Sequence, residues 1–307
     1  MKNNFCIYSF YYFINIKEAR KIKNKLDNFL SSYVVRGTIL LADEGINASL
    51  SASKNDLDEI IIFIKKLLGI RKIDLKVNKI DFLPFNKMKV RLKKEIVTLG
   101  MGDLKIDSFG SNYVDPSEWD KILLDKNTEI IDVRNNFEIQ IGKFSGALNP
   151  KMKSFREFPE KISNLNLNKK SRIAMYCTGG IRCEKASAYL KHNGFENIVQ
   201  LNGGIINYLT YLKSSRKNSL WNGECFVFDG RVSLDQNLQK GKYIQCYGCR
   251  RPITKEDTKS KKYIKGVSCP YCYNERSLEK KRNSLVRQKQ IDEANEKKVD
   301  HTFKKIV

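Results

Sequence analysis

The sequence predicts an α/β protein of three successive units: a split β-α-β-β-α-β unit, a parallel-sheet α/β unit, and a small four-cysteine module with a basic helical tail. Three observations point there. Strand-like and helix-like apolar periods alternate along the first two-thirds of the chain. Two C-x-x-C pairs follow near the end, and the last stretch is dense in Lys and Arg with no apolar run. The length agrees, since 307 residues at the usual ~100–200 per domain make two or three units. Hydrophobic residues at 41 % and aromatics at 10 % supply real cores and exclude a wholly disordered chain. Boundaries are expected at 1–95, 96–114 (the end of a basic strand, then linker), 115–220 and 221–307.

In the first unit, Phe5 to Ile14 is rich in Tyr and Phe and reads as a strand. It lacks the small-residue cleavage site of a signal peptide. A helix is expected from about Ile16 to Phe29, with Ile22, Leu26 and Phe29 on one face. Val34 to Leu41 and Asn47 to Leu50 flank the turn Asp43-Glu44-Gly45 as a pair of strands. Ser53 is placed to cap a helix whose Leu57, Ile60, Ile61, Ile64, Leu67 and Leu68 form one apolar stripe. A strand near Ile73 to Val77 completes the β-α-β-β-α-β order of a ferredoxin-like fold. From Met88 to Leu99 the alternation of a strand sets Lys89, Arg91 and Lys93 against Val90 and Leu92, either as a solvated edge or as an RNA contact.

In the second unit, Asp115-Pro116-Ser117 opens a helix at Glu118-Trp119. Strands are expected at Glu129 to Val133, Arg172 to Tyr176 and Ile198 to Leu201, with a helix from about Arg182 to His192. Strands alternating with helices make a parallel sheet whose chemistry lies in loops at the strands' C-terminal ends.

With 57 Lys+Arg against 34 Asp+Glu, the formal charge is +23. A balance so basic favours a polyanionic partner, RNA or DNA foremost. From Leu238 onward 19 basic and 8 acidic residues hold +11 of that excess, and from Glu279 the composition is helical. No apolar run approaches the ~18 residues of a membrane-spanning helix. Eight cysteines, clustered rather than spread, fit metal and thiol chemistry in a reducing cytoplasm better than a disulfide framework.

The strongest chemical signal is Cys177-Thr178-Gly179-Gly180-Ile181-Arg182, between an apolar strand and a helix. A thiolate there meets loop N–H groups, the positive end of a helix dipole and the Arg182 charge, each of which lowers a thiol pKa. Two glycines let the backbone curl into an anion-binding nest. The Cys-x4-Arg loop is one residue shorter than the Cys-x5-Arg cradle that holds a tetrahedral phosphate, and suits a sulfur atom or small anion. Cys183 is either a resolving thiol or packing against Ala186 and Ser187. Cys6 and Cys225 stand alone and read as structural thiols.

Cys246-x2-Cys249-x19-Cys269-x2-Cys272 fits a closed tetrahedral metal site, zinc by default, with iron the alternative. Arg250, Arg251, Tyr247, Tyr271 and Tyr273 interleave cations with aromatics there, which suits RNA as well as ordinary packing of a small module. A non-haem iron oxygenase needs two His and a carboxylate, whereas this chain has only His192 and His301. The glycine pairs at 179 and 203 lack the spacing of an NAD or flavin dinucleotide fingerprint.

With Ile131-Asp132-Val133-Arg134, Glu138, Gly142 to Asn149 and Leu201-Asn202-Gly203-Gly204 added to the thiol loop, the middle segment resembles a rhodanese domain. That resemblance implies that Cys177 is the residue that becomes a persulfide, with Asp132, Arg134 and Glu138 bracing its loop. Gly142-Lys143-Phe144 stands where rhodaneses usually have Gly-His-Ile, so any role of that His is absent. Ala42 to Asn47 (ADEGIN), Ser154 to Pro159 (SFREFP), Cys177 to Ala188 (CTGGIRCEKASA) and the cysteine knuckles extend the likeness. The whole chain resembles the bacterial tRNA uridine(34) hydroxylase family. The resemblance implies oxygen-dependent hydroxylation at C5 of the wobble uridine, with a tRNA anticodon loop as partner. Addition of a Cys177 thiolate or persulfide to C6 would make C5 nucleophilic. The rival readings are a sulfurtransferase passing sulfur from Cys177 to an acceptor, and a non-enzymatic RNA- or zinc-binding protein.

Overall fold

The computed structural model describes residues 5–299 apart from 103, 105, 107–111, 217 and 298; parts of the expected linker and the end of the tail, His301 included, lie outside the described residues. The first unit comprises β1 (Phe5–Phe13), α1 (Ala19–Leu30), β2 (Arg36–Ala42), β3 (Gly45–Ser53), α2 (Lys54–Leu68), β4 (Lys76–Ile80) and β5 (Met88–Leu92). Its sheet runs β4-β1-β3-β2-β5, the ferredoxin-like order with one parallel strand added beside β2. Alternation divides the sheet into two faces. Cys6, Tyr8, Phe10, Ile39, Leu41, Ile46, Ala48 and Leu50 pack with Leu26, Leu30, Leu57, Ile60 and Ile64 of the helices. Ser9, Tyr11, Thr38, Leu40, Asn47 and Ser49 occupy the opposite face. Ser53 caps α2 as expected, accepting the Asp56 N–H at 3.1 Å.

Three boundaries differ from the periodicity. The strand expected near Ile73 to Val77 runs from Lys76 to Ile80, in register with Ser9 to Phe5 of β1. The first helix starts at Ala19 because Ile14 and Ile16 donate their N–H groups to the carbonyls of Glu44 and Asp43, prolonging the strand's pairing. The basic strand ends at Leu92, inside the first unit rather than running to Leu99. After the Lys93 N–H bonds the Leu41 carbonyl, Glu95 turns the chain by accepting the backbone N–H groups of Leu99 and Gly100, both at 2.9 Å.

The central unit contains β6 (Tyr113–Val114), α3 (Pro116–Leu124), β7 (Thr128–Asp132), α4 (Asn136–Ile139), β8 (Gly142–Phe144), α5 (Phe158–Ser163), β9 (Arg172–Tyr176), α6 (Ile181–His192), β10 (Ile198–Leu201) and α7 (Gly204–Ser215). Strands β6-β10-β9-β7 form an all-parallel sheet. Helices cover both faces, which is why β9 and β10 are near-continuous apolar runs. The short strands β11 (Trp221–Gly223), β12 (Cys225–Phe226) and β13 (Ser233–Leu234) follow, and β11 pairs with β8. Trp221, Cys225, Val227 and Leu234 lie in the central core rather than in the metal module expected from 221 onward. Phe144 draws them in, meeting Tyr176, Tyr208 and Trp221 edge-to-face at 4.8–5.1 Å.

The last unit hangs on the hairpin β14 (Ile244–Gln245) and β15 (Pro252–Ile253), followed by α8 (Leu278–Glu296). Arg276 fastens α8 to the module through the Gly248 carbonyl and the Ser284 hydroxyl. Among the described residues, no helix is long and apolar enough to cross a membrane.

Candidate active site

The thiol loop leaves the C-terminal end of β9 and enters α6. Gly203 and Gly204 hold it from the neighbouring strand end, where the N–H groups of Ile205 and Ile206 bond the carbonyls of Cys177 and Thr178 at 2.9 and 3.1 Å. Gly204 has φ +68°, and a Cβ there would lie 2.4 Å from the Cys177 carbonyl oxygen, so only glycine permits the approach.

The Gly180 N–H points at the Cys177 sulfur at 3.1 Å. Burial opposes ionisation of that thiol. The Cys183 hydrogen bond, the Arg182 charge and the N–H groups of Arg182 and Gly179 outweigh it and lower the pKa to about 5. Cys183 is pushed the other way, by burial first and then by Cys177, and remains a protonated donor. A thiolate and a thiol thus stand side by side.

The bracing set divides in two. Arg182 donates from its two terminal guanidinium nitrogens to the two carboxylate oxygens of Glu138, at 2.7 and 2.8 Å. Burial would raise the Glu138 carboxyl, but the Arg182 charge and hydrogen bonds hold it below the usual carboxylate range. Glu138 also accepts the Asn135 N–H at 3.0 Å, and its own N–H bonds the Asn135 carbonyl at 2.9 Å, which fixes the start of α4 under the loop. Asp132 and Arg134 form a separate buried pair at 2.6 Å, and Arg134 reaches on to the Gly142 carbonyl at 2.7 Å, tying β7 to β8.

What sequence reasoning missed comes from the ferredoxin-like sheet, whose polar face closes over the loop. Together they enclose a cavity of about 750 Å³ with Cys177, Thr178 and Gly179 on one wall and Ser9, Tyr11, Thr38, Asn47, Ser49, Lys76 and Asn78 on the other. Phe85, Phe155 and Phe228 add apolar surface, and exposed Arg156 stands in its lining. Tyr11, kept protonated by burial and by the adjacent Glu184, donates to Glu184 at 2.9 Å. Lys185, the next residue of α6, binds Glu44 at 2.8 Å and Glu95 at 2.5 Å. The ADEGIN segment therefore forms the turn that docks one unit on the other. A usable signal was present in the first unit: polar residues recur every second position on strands whose alternate positions are apolar.

The structure separates the basic residues. In register, Thr38 faces Lys89 and Leu40 faces Arg91, so both cations continue the cavity face to the sheet edge. Burial, then Arg91, Lys87 and Arg250, lowers the Lys89 ammonium pKa, which brings the metal module's Arg250 into the same positive patch. Arg251 lies in a two-pronged pair with Glu275 at 3.1 and 2.8 Å. Lys93 continues the backbone of β5, its N–H on Leu41.

The sulfurs of Cys246, Cys249, Cys269 and Cys272 lie within 4.8 Å of one another. Three of the separations are 3.7, 3.8 and 3.9 Å. Tetrahedral bonds of ~2.3 Å place sulfurs about 3.8 Å apart, so the quartet fits a closed metal site. Tyr247 and Tyr271 are exposed, with Arg250 over the Tyr247 ring at 5.5 Å, while the Tyr273 ring lies under Lys281.

Residues 5–96 match the UPF0176 acylphosphatase-like domain, and residues 115–210 match the rhodanese-like domain. A tRNA uridine(34) hydroxylase from Pelagibacter ubique is 44 % identical over 302 residues, covering 98 % of this chain and 99 % of that protein. A tRNA uridine(34) hydroxylase from Teredinibacter turnerae is 40 % identical over 296 residues, covering 96 % and 92 %. Among solved structures, a rhodanese-like domain protein from Staphylococcus aureus is 28 % identical over 32 % of this chain and 90 % of its own, with a TM-score of 0.27.

Proposed function

Because this chain belongs to the tRNA uridine(34) hydroxylase family, we propose that it hydroxylates the wobble uridine of tRNA and that the cavity between the thiol loop and the polar sheet face receives the uracil. The observation that carries this reading is a low-pKa cysteine in the wall of a cavity whose other wall offers hydroxyl and amide groups to a base. Such a base must leave the anticodon stack, which single-stranded loops allow at low cost.

Cys177 is the nucleophile. Its thiolate adds to C6 and makes C5 electron-rich. With dioxygen as oxidant, one atom enters at C5, the other leaves as water, and a thiol reductant supplies two electrons. Thr178, Gly179, Gly180 and Ile181 shape the loop; Arg182 stabilises the thiolate while Glu138 holds its guanidinium. Asp132 and Arg134 act at longer range by fixing the strands beneath. Cys246, Cys249, Cys269 and Cys272 would hold a structural zinc, since four sulfurs leave no open position. Lys89, Arg91 and Arg250 bind RNA phosphates beside the cavity, in a cytoplasmic enzyme.

The test is complementation of a gene deletion, with digested tRNA read by mass spectrometry. Wild type is expected to restore 5-hydroxyuridine derivatives and Cys177→Ala to leave them missing. Full restoration by Cys177→Ala refutes the thiol mechanism. Unchanged hydroxylation with loss of thiolated nucleosides would mark a sulfurtransferase instead.

A further inference from the structure

We propose that Lys76 is a catalytic residue, contributed by the ferredoxin-like unit, whose ammonium group receives the negative charge that develops on uracil O4 when Cys177 adds to C6. The inference rests on the Cys177 addition set out above and assigns the electrophilic partner that this step requires.

Register places Lys76 opposite Ser9, which in turn faces Ser49 and then Thr38, so Lys76 heads a row of polar residues crossing the cavity wall. Its side chain is 14 % exposed. Its nitrogen lies 5.4 Å from the centre of the Tyr11 ring, and its Cδ and Cε reach 4.0 Å from where a Cβ on Gly179 would stand. The stem is thus braced between Tyr11 and the thiol loop itself.

Of the other cations in the lining, Arg156 is exposed to solvent, and the remaining two are held by carboxylates. Arg182 is bound by Glu138 through two nitrogens, and Arg231 is bound by Asp229 in the same manner. The carboxylate nearest Lys76 is Asp74, at 3.7 Å and 80 % exposed, a loose and water-screened partner. Lys76 therefore keeps donor capacity toward the cavity. In the step it serves, a bond forms between the sulfur and C6. The C5=C6 pair moves to C4–C5, and the C4=O pair moves to O4, where Lys76 donates its N–H. No oxidant is consumed. C5 then carries the nucleophilic electron pair, and a lysine held over a developing enolate is the lysine counterpart of an oxyanion-hole donor.

Because the addition precedes oxidation, it is readable without oxygen. An anticodon stem-loop RNA with uridine at position 34 is incubated anaerobically in D2O with the full-length protein, and deuterium at C5 is measured by mass spectrometry. Wild type is expected to exchange C5–H as the enolate picks up a deuteron, loses the original proton and expels Cys177. Lys76→Met keeps the stem against Tyr11, with a thermal melt as the folding control. It is expected to lower exchange at saturating RNA by about 10²–10³-fold, with RNA affinity little changed. Lys76→Arg should recover part of the rate. Unchanged exchange at saturating RNA in Lys76→Met, with only affinity reduced, would make Lys76 a phosphate ligand and overturn the proposal. Full exchange by Cys177→Ser would instead overturn the addition chemistry beneath it, so the two failures are distinguishable.

Discussion

Replacing Cys183 by alanine removes one named donor from the thiolate and leaves the rest of the nest in place. The Cys177 pKa of about 5 rests on the Cys183 hydrogen bond, the Arg182 charge and the loop N–H groups, working against burial. A hydrogen bond to a charged group contributes ~1.5–3 kcal/mol. With ~1.4 kcal/mol for each tenfold change in ionisation, Cys183→Ala moves the Cys177 pKa to roughly 6–7. The sign follows from which form the donor favours. It stabilises the anion, so its loss raises the pKa and shrinks the thiolate fraction at neutral pH from about 99 % to roughly 50–90 %. The assay is iodoacetamide alkylation of Cys177 against pH, followed at that peptide by mass spectrometry. Wild type should show a rate that is flat at neutral pH and falls as the pH drops through about 5. The variant's fall should begin at higher pH, while its plateau rises because a more basic thiolate is more nucleophilic. A wild-type inflection near an ordinary thiol's ~8.5, or no movement in Cys183→Ala, would refute the reasoning.

Glu138→Gln should destabilise the central unit by ~3 kcal/mol, because buried Arg182 loses its two-pronged carboxylate partner and keeps only the Cys177 thiolate as counter-charge; a urea-melt difference below ~1 kcal/mol would contradict this. Stripping the metal with a chelator should unfold the four-cysteine module, since structural zinc contributes ~10–16 kcal/mol in finger peptides and this module has few apolar contacts of its own. Limited proteolysis should then cut beyond Ile244 while Cys177 alkylation stays unchanged; cleavage first within the central unit would contradict that. Combining Lys89→Ala, Arg91→Ala and Arg250→Ala should flatten the log–log salt dependence of tRNA binding by roughly two, at ~0.7 per contact. Arg251→Ala, whose guanidinium is engaged by Glu275, should leave the slope unchanged.

The sequence by itself determined what depends on near neighbours. Two cysteines separated by two residues present both sulfurs on one tight turn wherever they lie in a fold, and Cys-Thr-Gly-Gly between an apolar strand and a helix makes a thiol loop. Helix stripes and the Ser53 cap are equally local, and so were legible. The likeness to known families added the substrate, which no composition or spacing carried. Boundaries failed where a distant group competed with the local period, as when the carbonyls of Asp43 and Glu44 held residues 14–16 out of the first helix, or when a core built around Phe144 drew in Trp221.

Only the tertiary structure decided the second wall of the cavity. Tyr11 and Glu184 are 173 positions apart, and Lys185 and Glu95 are 90 apart. No periodicity links such residues, because what joins them is the docking of one sheet's polar face on another unit's loop. The same docking set Lys76 beside the thiol loop and, with the register of β5, carried Lys89 and Arg91 onto the face that Arg250 approaches from the metal module. Chemistry within one loop is written in sequence, but a site shared by two units exists only once their surfaces meet.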